Sequence, residues 1–168
     1  LFNLAYNQYD LGKRDQAVKR YEELLKSYPG SKFVADTYVQ LGNHYFEVAN
    51  ILEKAKTYYE KAFASQNPRI KSYALYKLAW CDFNAGEHEK AKRHFEAMVA
   101  ESPNEPLPHY WLGVLALKNF SNMDTAMSEF RTFVKLSGSR IPSGHPVYAY
   151  MDEVKQQVSA EKKMKEEE

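Results

Sequence analysis

The sequence holds a single cysteine, Cys81, in 168 residues, so no disulfide closes within it and both reducing and oxidising compartments stay open. Glycine and proline number seven each, too few for an all-β chain built on many tight turns, and a helical protein follows. No uninterrupted apolar run approaches the roughly 20 residues that a bilayer-crossing helix needs. Charge of one sign is missing as well: 23 Lys and Arg face 22 Asp and Glu, for a net charge of +1. The basic clusters Lys13-Arg14, Lys19-Arg20 and Lys90 to Arg93 are interleaved with acids. That pattern describes solvated helix faces and provides no coherent basic stripe for nucleic acid.

Catalytic and metal-binding patterns are equally scarce. The five histidines, His44, His88, His94, His109 and His145, include no pair at the four-residue spacing that sets two imidazoles on one helix face. Cys81 follows Trp80 inside a helical stretch, where a thiol packs as a small hydrophobe. The pairs Glu22-Glu23 and Asp152-Glu153 are adjacent along a helix and point in different directions. No glycine-rich phosphate loop occurs, and no catalytic residue, metal ligand or cofactor is assigned.

What the sequence has is aromatic content, with 13 Tyr and 9 Phe, and it is arranged periodically. A small residue followed four residues later by an aromatic recurs as Ala17 and Tyr21, Ala55 and Tyr59, Ala91 and Phe95, and Ala126 and Phe130. Upstream of each stands a Leu with a small residue: Leu4-Ala5, Leu41-Gly42, Leu78-Ala79 and Leu112-Gly113. The distance between the two marks is one helix plus a tight turn, so each unit is a helical hairpin. Gly12 and Gly86 fall in the turn of two units, with Asn50 and Ser121 in the equivalent place of the others; all four suit the left-handed conformation that stops a helix. Pro29, Pro103 and Asn67-Pro68 close three of the units.

The spacing predicts paired helices over 1–11 and 14–27, 32–48 and 52–65, 70–84 and 87–101, and 107–119 and 122–136. The hairpins occupy about 1–29, 30–67, 68–103 and 104–136. A turn-rich connector, 137–145, precedes a helix over 146–162 whose Val147, Met151, Val154 and Val158 form one apolar stripe. That helix is the expected cover for the last hairpin, because a hairpin cannot bury both its faces alone. Residues 163–168 are a charged tail, expected to fray. The opening residues read as a helix entered midway, so the chain is expected to be a stretch of a longer array.

On these residues the chain resembles the tetratricopeptide repeat family over about 1–136, most closely in "ALYKLAWCDFNAGEHEKAKRHFEAMVAESP" (74–103). The resemblance implies an all-α, right-handed superhelical solenoid of four hairpins and a capping helix, without enzymatic activity, whose partner is a protein or peptide. The stretch "LLKSYPGSKFVADTYVQLGNHYFE" (24–47) is similar to repeats of bacterial envelope proteins: the outer-membrane-assembly lipoprotein, the Tol-Pal-associated periplasmic protein and gliding-motility proteins. This implies a periplasmic or outer-membrane-associated setting, with the cytoplasm as the alternative.

In the family the first helix of each hairpin lines a concave groove. Carried onto this sequence, the lining is Phe2, Tyr6, Tyr9, Val39, Asn43, Phe46, Tyr76, Trp80, Phe83, Tyr110, Val114 and Leu117. The carboxylate-clamp members need Lys, Asn and Arg there, and Asn43 alone fits. Aromatic side chains suit an apolar or amphipathic segment instead, with Tyr76, Trp80 and Tyr110 the most exposed anchors and Asn43 bonding a ligand backbone. The competing expectation is a structural role, in which the N-terminal hairpin self-associates.

Overall fold

The computed structural model describes residues 1–167, and the side chains of 1–165. Among the described residues there are nine α-helices and no strand. They are α1 (Phe2–Asp10), α2 (Arg14–Ser27), α3 (Val34–Asn43), α4 (Leu52–Phe63), α5 (Pro68–Asn84), α6 (His88–Glu101), α7 (Pro106–Lys118), α8 (Met123–Ser137) and α9 (Pro146–Glu167). The chain folds as two compact units, Leu1–Glu87 and His88–Glu168.

In the first unit α1 packs on α2, α3 on α4, and α4 on α5. Its core is a line of small residues and rings, Ala5, Ala17, Tyr21, Leu41, Ala55 and Tyr59 among them, all nearly sealed from solvent. In the second unit α7 packs on α8, while α6 and α9 pack on that pair. Phe130, Val147 and Val154 are fully buried at its centre, and Met151 and Val158 pack against them, so α9 covers the last hairpin with the stripe read from its sequence.

The small residue and the ring meet as the spacing requires. A methyl placed on Gly42 would lie 2.6 Å from the Tyr59 ring, and one on Gly113 would lie 2.6 Å from the Phe130 ring. Glycine is what permits these two helix crossings.

All four turn residues adopt positive φ: Gly12 at 77°, Asn50 at 52°, Gly86 at 76° and Ser121 at 50°. The turns nevertheless come in two widths. In the first and third hairpins the turn residue lies seven positions after the small residue (Ala5 to Gly12, Ala79 to Gly86), and in the second and fourth it lies eight positions after (Gly42 to Asn50, Gly113 to Ser121). The narrow turns close with Lys13 N–H donating to Gln8 C=O and Glu87 to Asp82, five residues back. The wide ones close six residues back, from Ile51 to Tyr45 and from Asn122 to Ala116. The extra residue of the second hairpin is absorbed as a π-helical turn, His44–Val48, so α3 ends as an α-helix at Asn43 where a continuous helix to 48 was expected.

Two other boundaries differ from the sequence reading. Pro68 opens α5 at its first turn, with Asn67 Oδ1 accepting from Arg69 N–H at 3.0 Å, so this Asn-Pro pair starts a helix as well as separating two. Helix α9 continues to Glu167, through residues expected to fray; Lys and Glu are good helix formers and need no apolar face to extend a helix already nucleated. The end of that tail, Glu168, lies outside the described residues.

Candidate interaction surface

In the first unit the expected lining residues come from α1, from α3 with its π turn, and from α5. Tyr6 is 44% exposed, whereas Phe2, Tyr9, Val39, Asn43, Phe46, Tyr76, Trp80 and Phe83 are half-buried. Phe2 lies flat on Phe33, 4.9 Å between ring centres. Trp80 stands edge-on to both Tyr76 (6.3 Å) and Phe83 (5.5 Å), an aromatic run along one face of α5. Tyr9 hydroxyl lies 3.4 Å from His44 Nδ1, and the Arg14 guanidinium lies 5.8 Å from the Tyr9 ring centre.

Asn43 is tied into the fold. Its Oδ1 accepts hydrogen bonds from the hydroxyls of Tyr59 (2.8 Å) and Tyr73 (3.1 Å), so any bond from Asn43 to a partner falls to its NH2 group. Beside it Lys77 donates to Glu47 at 2.7 Å, with its ammonium 5.2 Å from the Phe46 ring centre and 5.6 Å from that of Tyr73. Burial works most strongly on the Lys77 ammonium and against it, but the bond to Glu47, the Glu47 charge and the neighbouring Tyr73 hydroxyl together outweigh it and the pKa is raised, so the cation persists among the rings. Tyr73, Glu47 and Lys77 were missed in the sequence. Helical period was the available signal for two of them, since Tyr73 sits three residues before Tyr76 and Lys77 three before Trp80.

The lining expected from the last hairpin belongs to the second unit and is corrected there. Val114 and Leu117 are buried, at 7% and 4% exposure, because α9 packs over α7. Tyr110, expected to be an exposed anchor, is half-buried with Trp111, Phe133, His145 and Tyr150 around its ring. Burial, reinforced by Tyr150, pushes its hydroxyl up to about 12. These three side chains hold the cover in place.

Cys81 is 1% exposed, and burial pushes its thiol up to about 12, far from a thiolate nucleophile at neutral pH. Among the described residues no three His, Cys, Asp or Glu side chains converge, and no helix is long and apolar enough to cross a membrane.

Hairpins of this kind, with a small residue crossing onto a ring and a left-handed turn, define a helical-repeat protein of the solenoid class. The tetratricopeptide repeat model matches residues 1–31 and 73–105, so those two stretches are tetratricopeptide repeats. No curated protein matches the chain. Solved structures share its fold at low identity. MamA from Desulfovibrio magneticus is 17% identical, with a TM-score of 0.73 over 98% of this chain and 86% of that one. YrrB, described as a tetratricopeptide-repeat protein with an unusual peptide-binding site, is 19% identical, with a TM-score of 0.70 over 94% and 76%. PilW, described as a widely conserved type IV pilus biogenesis factor, is 17% identical, with a TM-score of 0.66 over 93% and 74%. The fold is that of protein-protein interaction scaffolds, whose partners are proteins or peptides.

Proposed function

We propose that the chain is a non-enzymatic scaffold that binds an apolar or amphipathic peptide or helix on the aromatic face of its first unit, in a bacterial envelope or motility complex. The observation that carries this reading is the run of rings along α5, Tyr73, Tyr76 and Trp80, beside the buried-stem lysine Lys77 and the amide of Asn43. Rings of this kind present large rigid area with little rotamer entropy to lose. The resemblance to envelope repeats and the fold shared with PilW support the setting, and the peptide-binding description of YrrB supports the ligand class. Capture from soluble and membrane fractions with the wild type and with a Tyr76→Ala, Trp80→Ala double variant of unchanged helicity tests it. A partner held by the first and lost by the second is expected; equal capture by both sinks the site.

A structural reading has its own observation. The first hairpin exposes Leu4 (48%), and Leu1 (40%) and Tyr28 (56%) line a cleft of about 540 Å³ together with Phe2, Leu24 and Phe33. Self-association through this face predicts a mass that rises with concentration and reverts to monomer in Leu1→Glu, Leu4→Glu. A wild-type monomer at high concentration removes the reading.

A further inference from the structure

The position three residues after each small crossing residue is occupied by Gln8, Tyr45, Asp82 and Ala116 in turn. In the second and third hairpins this residue engages a lysine of α4, Lys54 just before Ala55 in the one and Lys56 just after it in the other. Tyr45, 8% exposed, stacks on Tyr58 with 5.5 Å between ring centres and accepts from Lys54 Nζ at 2.6 Å. Asp82, 1% exposed, accepts from Lys56 Nζ at 2.5 Å. The fourth hairpin has the methyl of Ala116 there, and in place of the missing side chain is a cleft of about 320 Å³.

The cleft lies wholly within the second unit, between α6 and the α7–α8 pair, with Leu112, Leu115, Ala116 and Phe120 forming its apolar wall. Lys92, the counterpart of Lys56 one residue after the small residue of its helix, stands at the rim. With no counterpart of Asp82 to accept its hydrogen bond, it approaches Glu96 at 3.8 Å and lies 5.5 Å from the Phe120 ring centre. Glu129, the counterpart of Tyr58, is turned to His109 at 2.7 Å, where the second hairpin pairs Tyr38 with Tyr58. Ring volume is what this junction lacks, together with an acceptor for a lysine.

We infer that this cleft is a binding site for a tyrosine side chain of a partner protein, the phenol ring lying where Tyr45 lies in the second hairpin and its hydroxyl accepting from Lys92. The ring is uncharged, which suits a rim that already carries Lys92 with Glu96 and Glu129. A carboxylate ligand would reach Lys92 only beside those two acids. The site is separate from the aromatic face of the first unit and does not depend on it.

The test titrates the full chain with N-acetyl-tyrosinamide, N-acetyl-phenylalaninamide, N-acetyl-leucinamide and N-acetyl-aspartamide, followed by amide chemical shifts. For a probe of about 16 heavy atoms, a Kd in the low-millimolar range is expected. Shifts should cluster at Leu115, Ala116, Phe120 and Thr125, with the tyrosine probe tightest. Ala116→Tyr should abolish them by supplying the ring from within, and Ala100→Trp, which fills the same cleft from an exposed position, should do so if the first variant folds poorly. Lys92→Met should remove the preference for tyrosine over phenylalanine, about three- to tenfold, as loss of one charged hydrogen bond does. Shifts that persist in both filled variants, equal affinity for leucinamide, preference for the aspartate probe, or no shift at all each overturn the proposal.

Discussion

The odd and even hairpins solve one packing problem in two ways. The first and third place alanine at the crossing (Ala5, Ala79) and glycine in a narrow turn, while the second and fourth place glycine at the crossing and Asn or Ser in a turn one residue longer. The contrast shows that the residue at the crossing position and the turn length vary together. Where the turn is widened, the ring of the second helix sits against bare backbone, Tyr59 at Gly42 and Phe130 at Gly113, and where it is narrow the position carries a buried methyl, Ala5 or Ala79. It is the two narrow-turn hairpins that the matched stretches, 1–31 and 73–105, contain.

The largest effect that would break this comparison is expected at a junction. Lys56→Met leaves Asp82 buried opposite a thioether and is expected to cost about 3 kcal/mol, read from urea midpoints. The bond to Asp82 raises the Lys56 pKa, so the pair's contribution is complete below the usual lysine value of 10.5 and fades as pH rises through the raised value. Wild-type and Lys56→Met stabilities should therefore converge at strongly alkaline pH, and parallel curves there would show that the ion pair is not the cause. Next, Gly42→Ala and Gly113→Ala force a methyl into a ring and are expected to cost about 2 kcal/mol each, measured as denaturation midpoints. A neutral result would mean that the even crossings relax to the odd geometry.

Smaller changes sharpen the turn half of the comparison. Gly12→Ala and Gly86→Ala place a side chain at positive φ and should destabilise by about 1–2 kcal/mol. Asn50→Gly and Ser121→Gly remove that strain at some cost in chain entropy, and a gain of about 0.5 kcal/mol is expected, with Ser121 ahead because Asn tolerates the conformation better. Thermal melts of the four variants suffice; a Ser121→Gly that lowers the melting temperature would mean the wide turn depends on the serine itself.

Element type, repeat spacing, crossing residues and turn residues were legible because each is set locally. Periodicity fixes a face, and a left-handed turn needs one of a few residues. The π turn after Asn43 was not legible as such, although the eight-residue spacing from Gly42 to Asn50 carried its cause. The expected lining residues of α1, α3 and α5 stay exposed or half-buried, whereas on α7 Val114 and Leu117 are buried, although they and Tyr110 have the same phase as their counterparts upstream. Their burial comes from α9, an element outside the repeat, and no repeat-based reading transfers that information. Asn43 likewise reads as a free amide until the hydroxyls of Tyr59 and Tyr73 are placed on it.

The Lys56 and Asp82 pair has a meaning for assembly order as well. Repeats that resemble one another risk docking out of sequence, and a purely apolar junction would accept any neighbour. The counterpart of Lys56 in the first hairpin is Val18, so a third hairpin docked directly on the first would bury the Asp82 carboxylate against an aliphatic side chain. One ion pair thus favours the correct neighbour over the wrong one, which the apolar contacts alone do not distinguish.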